Sequence, residues 1–215
     1  KGLIGSLKGG NNDEGHNHND IGQFELFSDG SPAIVDLGMS DYTRFTFSER
    51  RYEDWVRNSK GHNIPEFNGT LQGSGKTFHA EVLSTGPDSV TLDLTAAYPA
   101  EAGVTHYERT LSLAGNTCAV SEQCEFSKQQ NRIRFDLYTP AKAVREAGKI
   151  RFPDLNLEFD PEAITAEAPV EITLTDARLK RIWGNAIYRI TLSATCGAAH
   201  KWTLRFRREE PRVRL

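Results

Sequence analysis

Cysteine is scarce, methionine occurs once and no long apolar run exists in this chain, and each shortage excludes something. Cys118, Cys124 and Cys196 form no CxxC pair and no zinc-finger spacing, and their number and the chain's size argue against a disulfide framework. They read as small buried hydrophobes on strands. Nothing approaches the ~18 consecutive apolar residues of a membrane-spanning helix. No charged-then-apolar leader opens the chain, but it starts at Lys1 rather than Met, so the missing leader says nothing of where the parent protein resides. A basic excess is also lacking. Lys and Arg total 26 against 29 Asp and Glu, a formal charge of -3, which is unlike a nucleic-acid binder. Repeats, linkers and low-complexity blocks are absent as well. What is present suffices for a core: 38% of the 215 residues are hydrophobic and 26% charged.

Most of the chain alternates at period two. The pattern predicts strands over Gly75–Thr85, Val90–Thr95, Val104–Leu113, Thr117–Phe126, Arg132–Tyr138, Ile150–Phe159, Val170–Leu174, Ile187–Ala194 and Lys201–Phe206, with shorter ones around Phe24–Leu26 and Ala33–Val35. Turn signals such as Ser28-Asp29-Gly30-Ser31-Pro32 and Ala114-Gly115-Asn116 punctuate them. Ten or so strands with one buried face must stack on a second sheet, so the expectation is all-β: one large antiparallel β-sandwich domain over residues 1–215. Only Phe47–Asn58 and Pro140–Glu146 read as briefly helical.

The alternation breaks at Gly9–Asp20 and Asp36–Gln72, where His, Asn, Asp and Tyr concentrate. Polar loops on a rigid scaffold are where sites are usually carried. His16 and His18 lie two apart, and an extended backbone would aim both to one side. With Asp36 and His62 they offer imidazoles and a carboxylate, a common donor set for zinc. Residue types alone leave open that these histidines merely hydrogen-bond within polar loops.

The run NND-x-GHNHND-x-G-x-F from Asn11 to Phe24, continuing to Asp36-Leu37-Gly38, resembles the C-terminal β domain of the heparinase II/III-like polysaccharide lyases. Arg51-Tyr52, Trp55, Asn58-Ser59, His62-Asn63, Tyr107-Glu108-Arg109-Thr110-Leu111 and Trp183-Gly184 with Tyr188-Arg189-Ile190 are similar too. The resemblance implies a β-sandwich that follows an α-helical toroid in the parent protein, with substrate in the cleft between them; the toroid is not in this sequence. It implies a metal site at His18, Asp36 and His62, usually structural zinc although such donors accept other divalent ions. His16 matches the catalytic or charge-neutralising histidine. Tyr52 falls in an Arg-Tyr pair like one near the active site of related alginate lyases. Asn12, Asn63 and Arg51 are substrate-binding candidates by adjacency. A bacterial protein of the periplasm or the exterior is implied, acting on an anionic polysaccharide or oligosaccharide of glycosaminoglycan or alginate type, with no nucleic acid and no membrane span.

Those residue types suit β-elimination. Removing the C5 proton of a uronate requires the neighbouring carboxylate to be neutralised, while a Tyr or His exchanges protons with the sugar. The toroid is implied to supply an Asn and a key Tyr, so this chain alone is expected to turn over poorly or not at all. Arg44, Arg50, Arg51, Arg57 and Lys60 exceed Glu49, Glu53 and Asp54 by two charges, which suits a polyanion or simply makes a solvated mixed-charge face. Trp55 and Tyr42 could stack on sugars or pack. Two other readings compete. Gly10, His16, His18, Gln23 and Gly30 resemble the first cupin motif with Gln23 in place of Glu, but Pro65, Gly69 and His79 supply no second motif. A non-catalytic carbohydrate-binding sandwich is the other.

Overall fold

The period-two pattern becomes backbone most clearly in one hairpin. Val104–Ala114 and Thr117–Phe126 pair antiparallel around Gly115, whose φ of 56° suits the tight reversal. Burial alternates along both strands, so Cys118, Val120, Cys124 and Phe126 face the core while their neighbours face outward. This is a computed structural model, and it describes residues 2–209.

That hairpin is the middle of an eight-stranded sheet. Its order is Val144–Glu146, Lys149–Arg151, Leu155–Glu158, Ala199–Arg208, Thr117–Phe126, Val104–Ala114, Ser89–Asp93 and Glu81–Thr85. A five-stranded sheet is built on Asn131–Thr139 and Ala186–Cys196, flanked by Pro65–Phe67, Thr165–Ala166 and Val170–Thr173. A third sheet joins Leu3–Leu7, Phe24–Ser28 and Ser31–Ile34, the last two linked by Asp29 and Gly30, both at positive φ. All pairings between described strands are antiparallel. Side chains of the three sheets share one core. Phe135 meets Trp202 at 6.2 Å between ring centroids, and Phe24 meets Phe206 at 5.9 Å. Each such large side chain removed from water contributes about 1.5–3 kcal/mol. The architecture is the expected all-β sandwich.

Three local expectations are corrected. Gly75–Thr85 is two strands: Gly75–His79 pairs with Asn11–Asn12, and Glu81–Thr85 is a sheet edge. Ile150–Phe159 divides around Pro153-Asp154 into Lys149–Arg151 and Leu155–Glu158. Pro140–Glu146 holds no helix; Val144–Glu146 is a strand instead. The α-helix among the described residues, Ala177–Trp183, went unforeseen. Asp176 caps it by accepting from the Arg178 and Leu179 amides, and Gly184 ends it, so its boundary signals are ordinary. It packs Leu179 and Trp183 on a second, smaller apolar cluster with Val35, Leu37, Val56 and Tyr138. That cluster lies under the irregular segments of the first third. No described helix is long and apolar enough to cross a membrane.

Candidate metal centre and active-site face

Two loops carry the histidines, and buried polar bonds stitch them together. The Asn19 amide donates to the Arg57 carbonyl at 3.0 Å, and the Ser59 hydroxyl donates to the Asn19 carbonyl at 3.0 Å. A 3-10 turn, Ser59–Gly61, capped by the Asn58 side chain, delivers His62. Glycine is required at position 61. A Cβ there would lie 2.8 Å from the Trp55 carbonyl oxygen and 2.9 Å from the Val56 Cα. Asp36 arrives from the strand end after Val35, and its Oδ1 accepts from the Gly38 amide at 2.7 Å.

The result is a buried cluster. His62 Nδ1 sits 2.6 Å from Asp36 Oδ2, and the His18 and His62 ring centroids are 5.2 Å apart. His18, Asp20 and His62 bring one donor atom each within 4.8 Å of one another. Asp20 also holds the Lys8 ammonium at 2.5 Å through Oδ1. Burial, then the neighbouring His62, pushes His18 down to about 4, so it presents a neutral imidazole. For His62, burial pulls downward but Asp36 outweighs it and the net direction is upward. Asp36 mirrors this: burial raises it, while His62 and the Gly38 amide bring it below the usual carboxylate range. Burial raises Asp20 despite His62 and Lys8. His62 Nε2 is buried without a hydrogen-bond partner. An orphaned imidazole nitrogen beside a neutral imidazole and two carboxylates fits a divalent cation.

Above this cluster lies a more open face. His16 is exposed in a turn at φ 60°, not in a strand, so the expected same-side projection with His18 is corrected by the reversal at Asp13–His16. Asn17 links this face to the buried cluster. Its carbonyl accepts from Arg51 Nη2 at 2.5 Å, and its Oδ1 accepts from the Tyr52 hydroxyl at 3.4 Å. Arg51 and Tyr52 come from the 3-10 segment Glu49–Glu53, capped by Ser48. The helical reading of Phe47–Asn58 therefore holds for those five residues. Arg51 and Tyr52 thus meet on Asn17, the residue that follows His16 in the chain.

Asn12 and Asn63 are not on this face. Asn12 is 1% exposed, and its amide donates to Gln72 Oε1 and to the Gly73 carbonyl. Asn63 is 0% exposed; its Nδ2 donates to the Phe24 and Val35 carbonyls and its Oδ1 accepts from the Tyr138 amide. The substrate-binding role expected for both is corrected: their amides cross-brace the loops to the sheets. Gln23 likewise spends its amide on the Asn63 N–H and the Phe24 carbonyl, so the residue standing at the cupin-like motif's Glu position is engaged in holding the loops. Trp55 leans on Tyr138, with centroids 6.1 Å apart. Arg57 is buried and bonded to Asp54, so it does not belong to an exposed basic patch.

Arg109 carries no role legible in the sequence. It is fully buried, faces Glu122 across the hairpin with Nη2 at 2.7 Å from Oε1, and Tyr107 donates to the other oxygen at 2.8 Å. Its Nη1 donates to the carbonyls of Gly22 and, at 2.9 Å, Asn63. The sheet therefore holds both site loops through one guanidinium. Asp20 was also passed over, although it follows His18 by two positions. Lys8 had no sequence signal.

A family model described as Heparinase II/III-like, C-terminal, matches residues 5–213. Among solved structures, a heparinase III gene product with methylated lysines superposes with a TM-score of 0.71 at 13% identity, covering 96% of this chain and 32% of that one. A heparan sulfate lyase from Pedobacter heparinus gives 0.64 at 14% identity, covering 97% and 33%. A 4-alpha-glucanotransferase from Thermococcus litoralis gives 0.58 at 15% identity, covering 96% and 36%, a likeness of fold alone. The chain thus spans about a third of the length of these proteins. No curated protein sequence matches. By the family model and the architecture together, this chain belongs to the heparinase II/III-like family, as its C-terminal domain.

Proposed function

We propose that this domain forms one wall of the active site of a lyase that cleaves a uronic-acid-containing polysaccharide by β-elimination. Membership of the family supports a polysaccharide lyase domain. The observation that carries the finer reading is the docking of Arg51 and Tyr52 on Asn17, beside the exposed His16. The half-buried guanidinium of Arg51 and the His16 ring can offset a substrate carboxylate, lowering the cost of the charge that builds up as the C5 proton leaves. The Tyr52 hydroxyl is the proton carrier on this wall, in reach of a sugar that rests on the face.

In this reading His18, Asp36 and His62 hold a divalent ion, zinc being the choice their donors favour, with Asp20 alongside and Lys8 balancing its charge. When bound, the ion would add positive charge beneath the active-site face and lock the two loops. Loop fixation is a structural task, so His16 and Tyr52 carry the proton chemistry. The substrate belongs to the glycosaminoglycan or alginate class, and a helical domain of the same parent protein supplies the opposite wall. A bacterial periplasmic or secreted setting fits such polymers.

The test is to supply heparan sulfate and alginate to this chain alone and together with a helical domain of the family, following the ultraviolet absorbance of unsaturated uronate. Absorbance that needs both parts, and falls at least a hundredfold with His16→Ala or Tyr52→Phe, is expected. Binding of oligosaccharide without elimination in the combined protein would overturn the reading in favour of a non-catalytic carbohydrate module. Asp20→Ala and Asp36→Ala, compared for metal content, tell which carboxylate is the ligand.

A further inference from the structure

Large apolar side chains left in water ask for an explanation when they cluster. Phe47 is 70% exposed and Tyr42 51%, and their rings meet each other at 5.4 Å between centroids. Both also meet His16, Tyr42 in stacked geometry at 6.5 Å and Phe47 edge-on at 5.8 Å. The remaining exposed apolar side chains, such as Ile4 and Val82, make no such aromatic cluster.

The loop presenting these rings is built rather than slack. The Thr43 amide donates to Thr46 Oγ1 at 2.8 Å, the Thr46 and Ser48 amides close successive turns, and Thr46 itself is buried. The Asp41 amide is tied to Asp176 Oδ2 at 2.9 Å, on the cap of the α-helix. Phe47 therefore sits between a buried threonine and the Ser48 cap, with its backbone fixed and its ring in solvent. Folding gains nothing from that exposure.

Charge near the rings narrows the occupant. Arg178 lies with its Cζ 5.7 Å from the centre of the Tyr42 ring, whereas Arg44 sits 4.6 Å over the Phe45 ring, outside the platform. Neither forms an ion pair among the described residues, unlike Arg50, which is held by Glu53 through two bonds. Half-exposed rings beside an unpaired guanidinium, with Phe47 mostly in water, suit a pyranose ring whose C–H face stacks while its acidic substituent meets an arginine. A protein partner would call for a broader apolar surface than a few rings among charged neighbours.

We propose that Tyr42 and Phe47 form a stacking platform, continuous with His16, for one ring of an anionic polysaccharide, and that Arg178 binds that ring's carboxylate or sulfate. The proposal rests on the uronate reading above for its ligand class, and adds the residues that place the chain against His16. Tyr42 and Phe47 are binding residues on this account; the proton chemistry stays elsewhere.

The experiment is calorimetric titration of the chain with size-defined oligosaccharides from heparan sulfate and alginate, with a neutral gluco-oligosaccharide as control. Phe47→Ala and Tyr42→Ala are expected to weaken acidic-oligosaccharide binding about tenfold each, with thermal unfolding unmoved because the rings are exposed. Phe47→Trp restores binding. Arg178→Gln weakens the acidic ligand while leaving any neutral one unchanged. If Phe47→Ala and Tyr42→Ala leave affinity intact while His16→Ala reduces it, the platform is refuted and the lyase reading stands. If Phe47→Ala weakens only the association with a helical domain, the face is a domain interface and the proposal falls. If the parent chain binds no acidic oligosaccharide at millimolar concentration, the platform is refuted, while the lyase reading, which takes its opposite wall from a helical domain, is decided by the elimination assay on the combined protein.

Discussion

The sandwich body and the loops of the first third are held by different physics. In Thr117–Phe126 the inward row is apolar apart from Glu122, and alternation alone buries it. Between residues 12 and 72, by contrast, Asn12, Asn17, Asn19, Gln23, Ser59, Asn63 and Gln72 are all buried with polar side chains. Irregular backbone leaves N–H and C=O groups that no strand partner satisfies, so amides and hydroxyls must do it. Directional bonds fix positions more sharply than an apolar contact, which suits loops that must hold His16, His18, Asp36 and His62 in register. Arg109 is where the two regimes join: one end is paired in the sheet, the other holds the loops.

The sharpest way to break this contrast is at that junction. Arg109→Met leaves Glu122 buried without its cation and the Gly22 and Asn63 carbonyls without their donor. A loss of about 3–5 kcal/mol in denaturant unfolding is expected. The double variant with Glu122→Gln should lose less than Arg109→Met alone, because it removes the stranded charge. Next comes Asn63→Ala, which vacates three buried bonds and should cost on the order of 3 kcal/mol. Its effect should reach the loops: amide exchange at 18–23 and 59–64 is expected to rise more than in the Val104–Phe126 hairpin. Equal acceleration in both regions would erase the distinction drawn between them.

A chelator sharpens the contrast from the other side. Removal of a bound divalent ion should lower the unfolding midpoint of the parent chain and protect the loops less, while His18→Ala should already show the lowered midpoint and respond no further. At neutral pH the smallest effect belongs to the body. Burial pushes the Cys118 thiol up to about 12, from an ordinary value near 9. The native chain keeps that proton while the unfolded chain releases it, so stability contributed below pH ~9 is lost progressively as the pH rises toward about 12. Cys118→Ala should therefore flatten the alkaline limb of a stability–pH curve. The native chain should also resist alkylation at Cys118 and Cys124, with the half-buried Cys196 reacting first.

Legibility in the sequence divides along the same line. Thr117–Phe126 was read with the bounds it has, because alternation records burial directly. The breaks at Ala80 and Pro153 were read through, since period two says little about where a chain leaves one sheet for another. For the site, residue type and family likeness point to His16, His18, Asp36 and His62; Asp36 meets His62, while the carboxylate whose donor atom converges with those of His18 and His62 is Asp20. Asn12 and Asn63 were misread because an amide looks alike whether it meets a ligand or braces a loop; only burial separates the two uses. Phe47 was missed for the converse reason, as an apolar residue in a helix-like stretch reads as core until its exposure is known.

Metal content tests the central claim most directly. The chain, produced with zinc present and dialysed, should retain about one divalent ion per molecule, and His18→Ala, Asp36→Ala and His62→Ala should each retain almost none. A parent chain free of metal, or variants that hold as much as the parent, would contradict the assignment of these three side chains to one cation.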